Sequence, residues 1–310
     1  MVKVLKFGGS SHADAEQIKK VAAIIKAEPE RRYVVASAPG KRYSEDIKVT
    51  DMLYDCYKLV KANQPIDDAF ALIEDRYNGI IKDFGVKLWL QPEFDRIKNA
   101  IVHHAGRDYI ASRGEYLNSM VLASYLGYDF IDAEDGIFFK ENGTLDTEKT
   151  NEELTAILAK HEHAVIPGFY GVMPNGTINT FSRGWSDITG SIVSRAIKAD
   201  IYENWTDVSG MLMADPRCVE NPKVIVFKNL KNSSAEANLC IHHIFFNSDN
   251  RETFFTCNAC NNCIDLVAFN GRNNHCTCIF GSICISDVNR DTHFANGENC
   301  ILVHNSCTHI

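Results

Sequence analysis

Over the first 225 residues, apolar and polar positions switch repeatedly between the alternation of strands and the spacing of helices. Val2 to Phe7 alternates as a strand and ends in Gly8-Gly9, after which Ile18, Val21, Ala22 and Ile25 recur at helical spacing. Tyr33-Val34-Val35-Ala36 reads as a short buried strand, broken by Ser37-Ala38-Pro39-Gly40. Residues 50–104 are helix-rich, and the breaks near Pro65 and Pro92 fit helix starts better than interiors. Further strands are expected at 128–132, 163–167 and 200–205, with helices at 114–126, 150–160 and 187–198. This alternation predicts an α/β fold in which helices cover a mainly parallel sheet and ligands bind at the carboxyl ends of the strands.

Beyond about residue 226 the pattern fails. Cys240-Ile241-His242-His243-Ile244-Phe245-Phe246 is apolar, yet neither period holds for long. Composition changes at the same place. Nine of the 11 cysteines lie beyond residue 239, and residues 226–310 carry many asparagines, few glycines and no proline, so turn chemistry fades where the cysteines gather. We therefore divide the chain into residues 1–225 and an atypical segment, 226–310. For the latter, Cys257-x-x-Cys260-x-x-Cys263 with Cys276 and Cys278 could form a thiolate metal or iron–sulfur site. Disulfides are a further reading, disfavoured in a reducing compartment. The abruptness of the change favours another: sequence not shaped for this fold, as out-of-frame translation or a chimeric gene would produce.

Charge narrows the function. A net charge of −8 argues against nucleic acid, whose phosphate backbone calls for clustered Lys and Arg. No apolar run approaches the ~18 residues that span a bilayer, and the amino-terminal segment lacks the apolar core and cleavage site of a signal peptide. A cytoplasmic enzyme is the expectation.

Candidate chemistry clusters at predicted strand ends. Lys6-Phe7-Gly8-Gly9-Ser10-Ser11 follows a strand and opens a helix, so glycine amides and the Lys6 charge could meet phosphoryl oxygens. An ordinary turn capped by Ser10 or Ser11 would also account for it. Ser112-Arg113-Gly114-Glu115 has the spacing of a capping box, although Arg113 and Gly114 are poor choices inside one. Arg183, Ser186 and Asp187 precede a helix. Ser186 or Asp187 could simply cap it, or Arg183 could clamp a carboxylate while Asp187 orients cationic groups near a transferred phosphoryl. Thr206-Asp207 and Asp215-Pro216-Arg217 follow the next strand and could hold nucleotide or serve as turns.

Together the strings KFGGSS at 6–11, SAPGKR at 37–42, KVTDML at 48–53, SRGE at 112–115, PGFYG at 167–171, the RG-SD motif at 183–187 and WTDVSG with ADPR at 205–217 resemble the aspartate kinases of the amino-acid kinase family. The resemblance covers roughly residues 1–225 and implies a three-layer sandwich around a mainly parallel sheet. It implies that Lys6, Phe7, Gly8 and Gly9 meet ATP phosphates, that Thr206, Asp207 and Arg217 hold nucleotide, and that Lys6 and Asp187 are catalytic. It further implies that Glu115 binds the amino group of L-aspartate, Arg183 its α-carboxylate, and that Ser37 and Ser186 line the same pocket. The reaction implied makes 4-phospho-L-aspartate from aspartate and ATP with Mg²⁺, opening lysine, threonine and methionine biosynthesis. No protein-bound metal is expected. Oligomeric state is left open.

The resemblance also breaks in places. Trp185 stands where family members usually carry a second glycine, and Leu212 replaces a tyrosine of some relatives. The Gly-Ala-Lys-Val-Leu-His-like segment and the paired ACT regulatory domains of relatives have no counterpart in residues 226–310. A catalytically impaired nucleotide- or amino-acid-binding protein is accordingly the alternative.

Overall fold

The computed structural model describes residues 1–181, 186–206, 240–247 and 252–258. By internal contacts the chain forms two compact units, Met1–Ala199 and Asp200–Ile310.

The first unit opens with strand β1 (Lys3–Phe7), wholly buried, then a 3-10 turn (Gly9–His12) and helix α1 (Ala15–Lys26). Asp14 caps α1 by accepting a bond from the Gln17 amide at 2.9 Å, so neither Ser10 nor Ser11 is the cap. The face of α1 that carries Ile18, Val21, Ala22 and Ile25 is the buried one. Strand β2 (Arg31–Ala36) leads through the 37–48 loop into α2 (Val49–Lys61), α3 (Asp67–Phe84), α4 (Gln91–Val102) and α5 (Arg107–Leu126). Pro92 sits in the first turn of α4, and Pro65 lies just ahead of α3, as expected of helix starts.

Helix α5 begins well before the predicted 114. It is buried on nearly all sides, so it lacks the polar stripe that would have marked its first turns. Consequently Ser112-Arg113-Gly114-Glu115 lies inside the helix and makes no capping box: Ser112 Oγ donates to the Tyr109 carbonyl at 2.7 Å, and Gly106 is the N-cap.

There follow β3 (Asp129–Phe130), a single helical turn α6 (Ala133–Gly136), α7 (Thr147–Leu158), β4 (Ala164–Pro167), the antiparallel pair β5 (Tyr170–Val172) and β6 (Ile178–Thr180), and α8 (Ser186–Ala196). Strands β3, β4, β2 and β1 lie side by side in that order, all parallel, with Val35 opposite both Lys6 and Ile166. The carboxyl ends of β1, β2 and β4 (Phe7, Ala36 and Pro167) therefore open at one edge. The fold is α/β, a mostly parallel central sheet with helices on both sides.

In the second unit β7 (Ile201–Thr206) pairs in parallel with β8 (Cys240–Asn247), which pairs antiparallel with β9 (Glu252–Asn258). Two strands thus form in the segment where no period was legible. Of the cysteines proposed for metal, Cys257 lies in β9, whereas Cys260, Cys263, Cys276 and Cys278 fall outside the described residues. No described helix is long and apolar enough to cross a membrane.

Candidate active site

The three parallel strand ends deliver three turns to one locality. After β1, the Gly9 carbonyl accepts a bond from the Gly40 amide at 2.7 Å, which joins the first turn to the second. This approach depends on glycine: a Cβ on Gly40 would stand 2.7 Å from the Gly9 carbonyl carbon, and one on Gly9 would stand 2.9 Å from the Ala38 oxygen. After β4, the Gly168 amide donates to the Ala36 carbonyl at 3.0 Å, tying the third turn to β2. Gly168 also lies against Ser186 at the start of α8.

Lys6 and Asp187 meet across these turns. The Lys6 ammonium is 2.5 Å from Asp187 Oδ1, with about a tenth of the lysine side chain and a fifth of the aspartate exposed. A cation and an anion that retain partial access to water, at the mouth of a parallel sheet, can each be recruited by a ligand of opposite charge.

Glu115 reaches the same place from α5. It is buried, its Oε2 has no partner, and the Ala38 amide hydrogen-bonds its carboxylate. Burial pushes its pKa from an ordinary value near 4.5 up to about 8, against the opposing pull of its own and the Ala38 amide and of the Arg113 charge. A buried carboxyl with an empty oxygen is a receptor for a cationic donor. On the next turn, Asn118 donates Nδ2 to the Ser37 carbonyl at 2.7 Å, which fixes the second strand-end turn against α5. Tyr77 adds a buried hydroxyl bonded to the Gly114 carbonyl at 2.7 Å.

Arg113 does other work. Its guanidinium is enclosed by the rings of Tyr109, Tyr116 and Tyr170 at 4.5, 4.6 and 5.1 Å and donates to Ser112 Oγ. It holds the helix rather than a ligand.

Strain marks the third turn. Phe169 adopts φ 83°, in the left-handed region, at a cost of about 1–2 kcal/mol for a residue other than glycine. Two bonds hold it there: its amide donates to Thr189 Oγ1 at 3.0 Å, and its carbonyl accepts from the Phe181 amide at 2.8 Å. Because Thr189 belongs to α8, this bond ties the strained turn to the helix bearing Asp187.

Of the residues singled out from sequence, Lys6, Gly8, Gly9, Ser37, Glu115, Ser186 and Asp187 thus belong to one connected set of turns and helix ends. Phe7 contributes only backbone, since its ring is buried edge-on against His12. Arg183 with Trp185, and Asp207 with Arg217 and Leu212, lie outside the described residues. Thr206 closes β7 in the second unit. Sequence reasoning missed Asn118, Thr189 and His12. Asn118 did carry a signal, sitting three positions after Glu115 on the same helical face, but Thr189 and His12 act through backbone partners that no spacing reveals.

Comparison with known proteins gives the family. The amino acid kinase family model matches residues 1–238. The chain is 34% identical to aspartokinase 3 of Bacillus subtilis over 242 residues, covering 72% of this chain and 52% of that protein. It superposes on the crystal structure of Clostridium acetobutylicum aspartate kinase with a TM-score of 0.74 and 44% identity, covering 82% of this chain and 62% of the other. At the level of fold it also resembles Escherichia coli aspartokinase III in complex with aspartate and ADP, with a TM-score of 0.61 and 22% identity over 73% of this chain and 54% of that one. The chain spans about half the length of the curated relatives it matches. On the extent of the family match, the chain belongs to the amino acid kinase family.

Proposed function

We propose that the chain transfers the γ-phosphoryl group of ATP to the side-chain carboxylate of L-aspartate, giving 4-phospho-L-aspartate. The observation that carries this reading is the convergence of the Lys6–Asp187 pair and the vacant Glu115 carboxyl on one set of strand-end turns. The similarity to two aspartate kinases at 34% and 44% identity supports the choice of acceptor.

The chemistry asks little of a base. A carboxylate with an ordinary pKa near ~4 is ionised at neutral pH, so its oxygen attacks phosphorus directly, the bond to the β-phosphate oxygen breaks, and ADP departs without net proton transfer. What remains is positioning and the neutralisation of negative charge. Lys6 supplies the charge, and Asp187 holds its ammonium in place while no ligand is bound. Gly8 and Gly9 let the backbone approach the phosphates. Glu115 receives the substrate ammonium, Arg183 its α-carboxylate, and Ser37 and Ser186 line the pocket. To Thr206, Asp207 and Arg217 we assign nucleotide binding.

In this reading Mg²⁺ arrives on the triphosphate, and the site carboxylate Asp187 is engaged by Lys6. When bound, the ion neutralises phosphate charge. The product is an activated acyl phosphate, and we place the reaction in the cytoplasm at the entry to lysine, threonine and methionine biosynthesis.

Hydroxylamine trapping tests this. With ATP and Mg²⁺, hydroxamate is expected from aspartate and not from glutamate or carbamate. Hydroxamate from glutamate instead would reassign the acceptor, and nucleotide binding with no hydroxamate from any of them would leave a binding protein.

A further inference from the structure

His12 is the one fully buried imidazole of the first unit, and the phosphoryl-transfer chemistry above makes no use of it. It sits at the end of the 3-10 turn, edge-on to Phe7 at 6.2 Å, with Nδ1 3.0 Å from the Gly8 carbonyl. A carbonyl only accepts, so Nδ1 carries the hydrogen and the ring is the neutral Nδ1–H tautomer. Its Nε2 is then a buried acceptor without a partner. Burial holds the ring neutral, with its pKa lowered to about 4. A leucine in this place would bury no unpaired nitrogen. What the imidazole adds is its bond to Gly8.

That bond has a geometric consequence. The Gly8 carbonyl accepts twice, from His12 Nδ1 and from the Ser11 amide at 3.1 Å, and both donors draw it to the ring's side. In a trans peptide the next amide points the opposite way, so the Gly9 N–H is aimed away from the buried ring. Beside Gly8 the space is open: within 4 Å of where a Cβ would stand, the one described atom is the Lys6 ammonium, at 4.0 Å. Held by the Ser11 amide alone, the carbonyl would have one tether instead of two, and a swing into this space would set its oxygen against an anion.

We propose that His12 is a positioning residue of the nucleotide site, clamping the Gly8 carbonyl inward so that the Gly9 amide and the Lys6 ammonium face the same phosphate. This role rests on the ATP-dependent reading and adds to it a residue that never touches the ligand. The bond to Gly8 is short-range and neutral, so its loss weakens phosphate binding without altering the aspartate subsite, whose ammonium receptor Glu115 stands on α5.

The test is calorimetric titration of the wild type, His12→Leu and His12→Asn with a non-hydrolysable ATP analogue plus Mg²⁺, and separately with aspartate, after circular dichroism confirms the fold. Leucine keeps the apolar packing and deletes the donor. Asparagine places an amide donor where Nδ1 stands. His12→Leu is expected to bind the analogue about tenfold more weakly, one hydrogen bond's worth, with aspartate affinity within about twofold of wild type. His12→Asn is expected to recover most of the loss. Unchanged analogue affinity in His12→Leu, a parallel loss of both ligands, or a folded His12→Asn no better than leucine would each overturn the clamp. A wild type with no affinity for the analogue would instead overturn the nucleotide reading, and this role with it.

Discussion

At the scale of single residues, the site is governed by charges that wait for partners. Glu115 is the clearest case. In the empty chain it stays protonated up to about pH 8, but an ammonium substrate needs it ionised. Aspartate binding should therefore release a proton, and its affinity should rise as pH climbs from 6 to 8, by up to about tenfold per unit, then level off. Steady-state KM for aspartate across this range checks it, and a flat profile contradicts it. The same group acts on stability with the opposite sense. The folded chain holds a proton that the unfolded chain gives up near 4.5, so stability falls as pH rises from there to about 8, by roughly a few kcal/mol. Glu115→Gln should abolish that slope in thermal unfolding while lowering aspartate affinity. Lys6 and Ser37 were legible in the sequence because they stood beside strand-end breaks, whereas Glu115 and Asp187 stood near expected helix starts and drew their roles from the family resemblance. The state of Glu115 was not legible, since burial is a tertiary property.

At the scale of elements, the second strand-end turn is anchored by α3. Arg76 is buried and donates to the Ala13, Gly40 and Ile47 carbonyls at 3.2, 3.2 and 3.1 Å and to Asp46 at 2.7 Å. Arg42 meets the same carboxylate through both its chains of atoms, backbone and guanidinium, and together these donors hold Asp46 well below the usual carboxylate range. One guanidinium thus ties α1's approach, the Gly40 turn and the 37–48 loop together. Arg76→Leu should cost about 3 kcal/mol or more in urea unfolding, because it leaves three carbonyls without this donor and Asp46 with Arg42 as its remaining cation. Pairing it with Asp46→Leu should return part of that loss, and equal losses in the single and double variants would contradict this account. None of this was visible in the sequence, where Arg76 reads as one more charge on a long helix. Helix α5 starts earlier than its sequence pattern predicts, for a related reason: burial on nearly all sides removes the polar stripe on which periodicity depends, and the apparent capping box falls inside the helix.

At the scale of the whole molecule, the alternating pattern was enough to predict a parallel sheet, and the pairing of β1, β2 and β4 realises it. Strand β8 is not legible in the sequence, since a run such as Ile241 to Phe246 has neither alternation nor helical spacing. The sheet explains why residues from distant parts of the sequence meet: parallel strands deliver all their carboxyl ends to one edge, and α5 and α8 bring Glu115 and Asp187 to it. Such a site neutralises charge and positions a nucleophile that is already ionised, so its central claim concerns the identity of the attacking oxygen.

Aspartate labelled with oxygen-18 in its side-chain carboxylate, incubated with ATP and Mg²⁺ and quenched with hydroxylamine, tests that claim most directly. If the carboxylate oxygen attacks phosphorus, the phosphate expelled from the acyl phosphate carries one labelled oxygen, detectable by mass spectrometry. Unlabelled phosphate would mean that water, not aspartate, receives the phosphoryl group, and would contradict the account.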